Sequence, residues 1–201
     1  MQESKREKFL RYLLIGLCLL VVLGGYLYSS SSSGKGDGIE PSIHAEVLSR
    51  GDGNHNPVIA VAKVVEKQPV LVIYELDRNN QYYFKVLHSV SLHNPVKSLG
   101  ITKEHNGIWV QLEKKKWIFF SDSLETLREK DSEPASITSS RRSFHIQENT
   151  GFISIPEDDA KSDRLDLSER KEKPKEIHSL SEDDSLWLVV FEKDLVLARS
   201  Q

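Results

Sequence analysis

Hydrophobic and polar positions divide this chain into two regimes. Residues 9–28 (FLRYLLIGLCLLVVLGGYLY) are apolar apart from Arg11, and residues 13–23 carry no polar stripe at the period of a surface helix. At about 1.5 Å per residue, roughly 20 helical residues cross a hydrocarbon core of about 30 Å. The run therefore predicts a transmembrane helix. Arg11 lies near enough to its end to snorkel, and Tyr12, Tyr26 and Tyr28 fall at the interfaces.

From residue 58 the pattern becomes that of strands. VIAVAKVV (58–65), VLVIYEL (70–76) and YYFKVLH (82–88) are rich in β-branched and aromatic residues, with 77–81 as a hairpin loop. IWVQL (108–112) with WIFF (117–120), FHIQ (144–147) with GFISI (151–155), and LWLVVF (186–191) with LVLAR (195–199) read as further hairpins. Pro69 and Pro95 fall at strand starts or edges, where a missing N–H is tolerated. One helix is predicted, over 122–130, where Asp122 and Glu125 resemble a capping box and Leu124 and Leu127 share a face. Residues 29–57, rich in Ser and Gly, read as a flexible linker, with Ile43, Val47 and Leu48 as a short element inside it. Residues 131–142 and 157–175 are polar or of mixed charge and read as mobile loops.

The expected fold class is mainly β. A cytoplasmic tail (1–8), a transmembrane helix (9–28) and the linker (29–57) precede an antiparallel β-rich extracytoplasmic domain (58–201), a sandwich or compact sheet. An alternative architecture comes from a faint repeat. Ile108-Trp109-Val110, Gly151-Phe152-Ile153 and Leu186-Trp187-Leu188 are spaced by 43 and 35 residues, each leading into a hairpin or strand return. This pattern resembles the inner strand of a β-propeller blade and implies propeller-like hairpin repeats.

Charge orients the anchor. Lys5, Arg6, Lys8 and Arg11 stand before or at its start against Glu3 and Glu7, whereas the far flank offers Lys35 against Asp37 and Glu40. Positive charge stays on the cytoplasmic side, which places everything from Ser29 onward outside. A cleaved signal peptide is the competing case: Ser29, Ser31 and Ser33 provide a small-x-small cut that would release the β domain. The uninterrupted apolar stretch of 17 residues from Tyr12 favours an uncleaved anchor. A lipoprotein site at Cys18 is excluded by the bulky Leu17 before it and the apolar residues that follow.

Beyond residue 28 the chain holds 23 basic and 28 acidic residues, a net charge of about −5. Without a cluster of Lys and Arg this excludes a nucleic-acid groove, and the one basic triplet there (114–116) falls in a predicted turn. Cys18 is the only cysteine and lies in the anchor, so the exported part has neither disulfide nor thiol chemistry. It also lacks an Asn-x-Ser/Thr acceptor, which favours a bacterial envelope over a eukaryotic secretory route.

Candidate chemistry is sparse. Asp52-x-Asn54-x-Asn56 begins like a calcium loop but meets Pro57 where the turn glycine belongs and Lys63 where the bidentate glutamate belongs. The seven histidines (44, 55, 88, 93, 105, 145 and 178) include no H-x-H or i, i+4 pair, though His88 and His93 flank a predicted turn. Asp158, Asp159, Asp163 and Asp166 are carboxylates in a charged stretch, and no serine sits in a nucleophile-elbow motif. No metal or cofactor is expected. Trp109, Trp117 and Trp187 are the candidate partner-binding residues, since an exposed tryptophan is a favoured hot spot. The function expected is a single-pass, membrane-anchored interaction, accessory or sensor module of the cell envelope. Its partners are the bilayer, through 9–28, and an envelope protein. The alternative is a tethered hydrolase acting on cell-wall or surface substrates. An unprotected strand edge or apolar patch would mark the first, and a cleft joining His88, His93 and an aspartate the second.

Overall fold

The computed structural model describes residues 42–200 apart from 79–81, 103–104, 114, 136, 148–150, 157–161 and 171; the expected anchor over 9–28 lies outside the described residues. Among the described residues there is no helix, and fourteen strands form four antiparallel sheets. Each sheet consists of strands consecutive in sequence. The first runs β1 (His44–Ser49), β2 (Val58–Val65), β3 (Gln68–Asp77), β4 (Tyr83–Ser91). The second runs β5 (Val96–Thr102), β6 (His105–Leu112), β7 (Trp117–Ser121), β8 (Thr126–Lys130). The third has β9 (His145–Ile146), β10 (Phe152–Pro156) and β11 (Ser162–Asp166), with β10 in the middle. The fourth has β12 (Glu176–Ser179), β13 (Leu186–Val190) and β14 (Leu195–Arg199), with β13 in the middle.

Side-chain alternation explains how these sheets pack. In β2, Ala60 and Ala62 face one apolar cluster while Ile59 and Val61 face another. A strand that is apolar at every position is covered on both faces. The first cluster joins the first sheet to Leu99, Ile108, Val110, Leu112 and Phe120 of the second. The other joins the first sheet to Leu180, Leu186, Leu188 and Val190 in and beside the fourth. β13 repeats the logic: Leu186, Leu188 and Val190 face the first sheet, whereas Trp187 and Val189 meet Ile153, Ile155 and Leu165 of the third. The sheets thus pack in the spatial order second, first, fourth, third. The three copies of the aromatic repeat fall on β6, β10 and β13, the second strand in chain order of three successive sheets.

Several expectations are corrected. Residues 122–130 form a turn and a strand instead of a helix. Leu124 takes a left-handed φ of 64°, its N–H bonded to Ser121 O at 3.0 Å, and β8 then pairs with β7. A helix would put Leu124 and Leu127 on one face; here Leu124 is buried between the first two sheets and Leu127 is exposed at a register shift. Within the expected linker, His44–Ser49 is a full strand paired with β2, because Ala45 and Val47 complete the apolar face toward the fourth sheet. Residues 131–142 do not form a free loop. Thr138 exchanges backbone hydrogen bonds with Ile101 at 2.8 Å, and Arg142 N–H donates to Ile177 O at 2.8 Å. Ile137 approaches so closely that a Cβ on Gly100 would lie 2.4 Å from its Cγ2. In the charged stretch 157–175, Ser162–Asp166 forms β11, since Leu165 supplies a buried residue to the third and fourth sheets.

Leu188 is fully buried within the layer between the first and fourth sheets. Leu188→Ala is expected to lower stability by about 2–5 kcal/mol, whereas Leu127→Ala at the exposed edge should change it by less than about 0.5 kcal/mol. Urea unfolding followed by tryptophan fluorescence measures both.

Candidate functional site

A cleft of about 560 Å³ lies between the first and second sheets. Its walls are Leu48, Val58, Ile73, Leu87 and Ile101, and its polar groups are Ser49, His88, Thr102 and Asp122. Backbone irregularities gather here. In β1, Val47 pairs with Ile59 and Ser49 with Val58, which leaves Leu48 as an extra residue. In β4, His88 pairs with Ile73 and Val86 with Tyr74, which leaves Leu87 unmatched. The β5–β6 register also slips between Ile101 and Thr102. A bulge re-aims side chains and increases local twist; these three put Leu48, Leu87, Ile101 and Thr102 into the cleft wall. Thr102 Oγ1 is buried there with no hydrogen-bond partner among the described residues.

One wall of the cleft, β4, is also an edge of the first sheet. Its inner side pairs with β3, and no strand among the described residues pairs with its outer side. Tyr83, Val86 and Leu87 are 60%, 54% and 37% exposed along it. Backbone donors and acceptors on such an edge, beside apolar side chains, form a template for an added strand.

A second polar assembly joins the first and fourth sheets. Glu46 on β1 and Glu176 and His178 on β12 are buried. Arg141 Nη2 donates to Glu176 Oε1 at 2.5 Å, Ala45 N–H donates to Oε2 at 3.3 Å, and His44 Nδ1 lies 3.4 Å from Oε1. Ser139 Oγ donates to Glu46 Oε2 at 2.8 Å, and the Ser140 N–H donates to Oε1. Ser140 Oγ accepts from Val47 N–H at 3.0 Å and lies 2.7 Å from His178 Nδ1. With the hydroxyl proton donated to Nδ1, the ring proton sits on Nε2, which faces Glu176 Oε2 at 3.5 Å. Burial raises the Glu176 carboxyl, but the His178 and His44 rings, the Arg141 charge and the Ala45 N–H outweigh it and hold that carboxyl well below its usual range.

Serine, histidine and carboxylate stand here in the order of a nucleophile relay. The Ser140 oxygen already accepts a backbone hydrogen bond, however, and its N–H is held by Glu46 instead of facing an oxyanion. The geometry is that of a clasp between sheets.

The residues singled out in the sequence are distributed as follows. Trp109 and Trp117 (each 4% exposed) pack with Phe119 and Ile137 on the outer face of the second sheet, and Trp187 (1%) lies between the third and fourth. All three are core side chains. Trp109 pairs with Phe119 and Trp117 with Gln111, so the two tryptophans are diagonal neighbours. His88 and Asp122 line the cleft and His93 does not. Asp52 caps its own turn, accepting from Asn54 N–H and His55 N–H at 2.7 Å each; the Asn54 bond first, then the His55 ring and the His55 N–H, pull its carboxyl down to about 2. Asp158 and Asp159 lie outside the described residues. Asp163 is raised by burial and by the charge of Asp184, and Asp166 is lowered by Ser168. Sequence reasoning missed Thr102, Ser140 and Glu176: Ser140 sits in a segment too polar to read as a strand, Glu176 borders one, and Thr102 is brought to the cleft by strand pairing that no local pattern encodes. No protein-family model matches the chain, and no curated protein matches it.

Since the Glu176 carboxyl is depressed in the folded protein, its contribution is complete above the unfolded value near 4.5 and falls away as pH drops below it. Glu176→Gln is expected to cost about 3 kcal/mol at pH 7 by leaving Arg141 and His44 facing a neutral amide. That cost should shrink steadily between about pH 5 and pH 2. Paired urea titrations of the two proteins across this range measure it.

Proposed function

We propose that this chain is a single-pass, membrane-anchored interaction module of the cell envelope, with residues 9–28 in the bilayer and the β-rich domain outside. The observation that carries this reading is the β4 edge. Tyr83, Val86 and Leu87 stand exposed along an unpaired strand, where a protein partner gains main-chain hydrogen bonds and apolar contact together. The sequence of the anchor and its charged flank supports the placement. Net negative charge outside the membrane supports a protein partner over nucleic acid. For the architecture we favour an open array of blade-like sheets, supported by the consecutive-strand sheets and by the aromatic repeat at their second strands.

A tethered hydrolase is the second reading, and the order Ser140–His178–Glu176 is the observation in its favour. One experiment in cells separates the two. A photo-crosslinking residue at position 83 or 86 is expected to trap a discrete envelope protein, and Val86→Lys should reduce capture through the neighbouring position at least about fivefold, as loss of a central apolar contact does. Absence of β4 crosslinks together with fluorophosphonate labelling at Ser140 would replace this reading with the hydrolase.

A further inference from the structure

We infer that the cleft between the first two sheets is a binding site for a small organic cation, an amine carried on an apolar body. The volume of about 560 Å³ lies within the roughly 300–1,000 Å³ of small-molecule sites. Five aliphatic side chains form its walls, which suits a hydrocarbon body. Its polar groups are few: two hydroxyls, one imidazole and one carboxylate. Asp122 is the one anionic side chain among the described lining residues, which include no Lys or Arg. An anionic ligand would meet a carboxylate that no Lys or Arg among the described lining residues offsets. A glycan would lack the aromatic face on which sugars stack, since no Phe, Tyr or Trp is among the described lining residues. A metal would find one carboxylate and one imidazole, fewer ligands than zinc or calcium takes. An ammonium group satisfies the arrangement: it pairs with Asp122 while the apolar body lies against the aliphatic walls. Three register irregularities fall at residues of the cleft wall, where bulges re-aim side chains.

This site shares Leu87 with the β4 edge but takes a small molecule, and its test needs no protein partner. Full-length protein in lipid nanodiscs is titrated with phenylbutylamine, phenylbutanol and phenylbutyrate while the methyl NMR signals of Val58, Ile73, Leu87 and Ile101 are followed. The amine is expected to shift these four and to bind about two- to fivefold more tightly than the alcohol, the margin of a partly exposed ion pair. The acid should bind more weakly than either. Asp122→Asn, a change at an exposed side chain, should bring the amine down to the alcohol, and Leu87→Trp should suppress all three by filling the space. The inference is overturned if the acid binds as well as the amine, if Asp122→Asn leaves the preference intact, or if the shifted signals lie away from the cleft.

Discussion

The structure depends on one constraint: β2 and β13 are apolar on both faces. A strand such as Val58–Val65 cannot leave either side in water, so the sheet that contains it needs a partner on each side. The first sheet is therefore enclosed by the second and fourth, and the fourth, by the same rule applied to Trp187 and Val189, also takes the third. At about 25 cal/mol per Å² of apolar surface removed from water, these layers outweigh any single polar contact in the domain. They also explain how a chain with no cysteine beyond Cys18 holds four small sheets together.

Polar contacts do a different task. Glu46, Glu176 and His178 are buried where β1 meets β12, and a buried charge costs several kcal/mol unless it is paired. Residues 138–142 supply the pairing, with two serine hydroxyls, a backbone N–H and the Arg141 guanidinium. Misalignment of the first and fourth sheets would leave these groups unsatisfied, so the clasp fixes register where apolar packing alone is tolerant. The cleft lies on the opposite face of the first sheet, toward the second. There the bulges in β1 and β4 fall in its wall, and β4 is left as a free edge.

How much of this was legible follows from where the stabilising surface lies. Val58–Val65 and Leu195–Arg199 were readable to the residue, since local composition alone identifies them as strands. Thr126–Lys130 was not, because an exposed edge strand carries no apolar alternation and its Leu127 imitates a helical face. Glu176–Ser179 was the hardest case: it reads as polar yet is wholly buried, because its charges are met by residues distant in sequence. The tryptophans were ambiguous for the converse reason. A large aromatic ring serves a core as well as an interface, and here Ile137 and the third sheet cover them. Of the candidate site, His88 and Asp122 were noticed separately, but the bulges that bring them to one cleft depend on pairing partners that no local pattern encodes.

The central claim is that the first sheet is closed on both faces and open along β4. Amide hydrogen exchange of the partner-free, full-length protein tests it most directly. Exchange should be slowest in Val58–Val65 and Leu186–Val190 and faster by orders of magnitude at the outward amides of Tyr83–Ser91. Protection of β4 equal to that of β2 would mean that the edge is already covered, and would contradict the account.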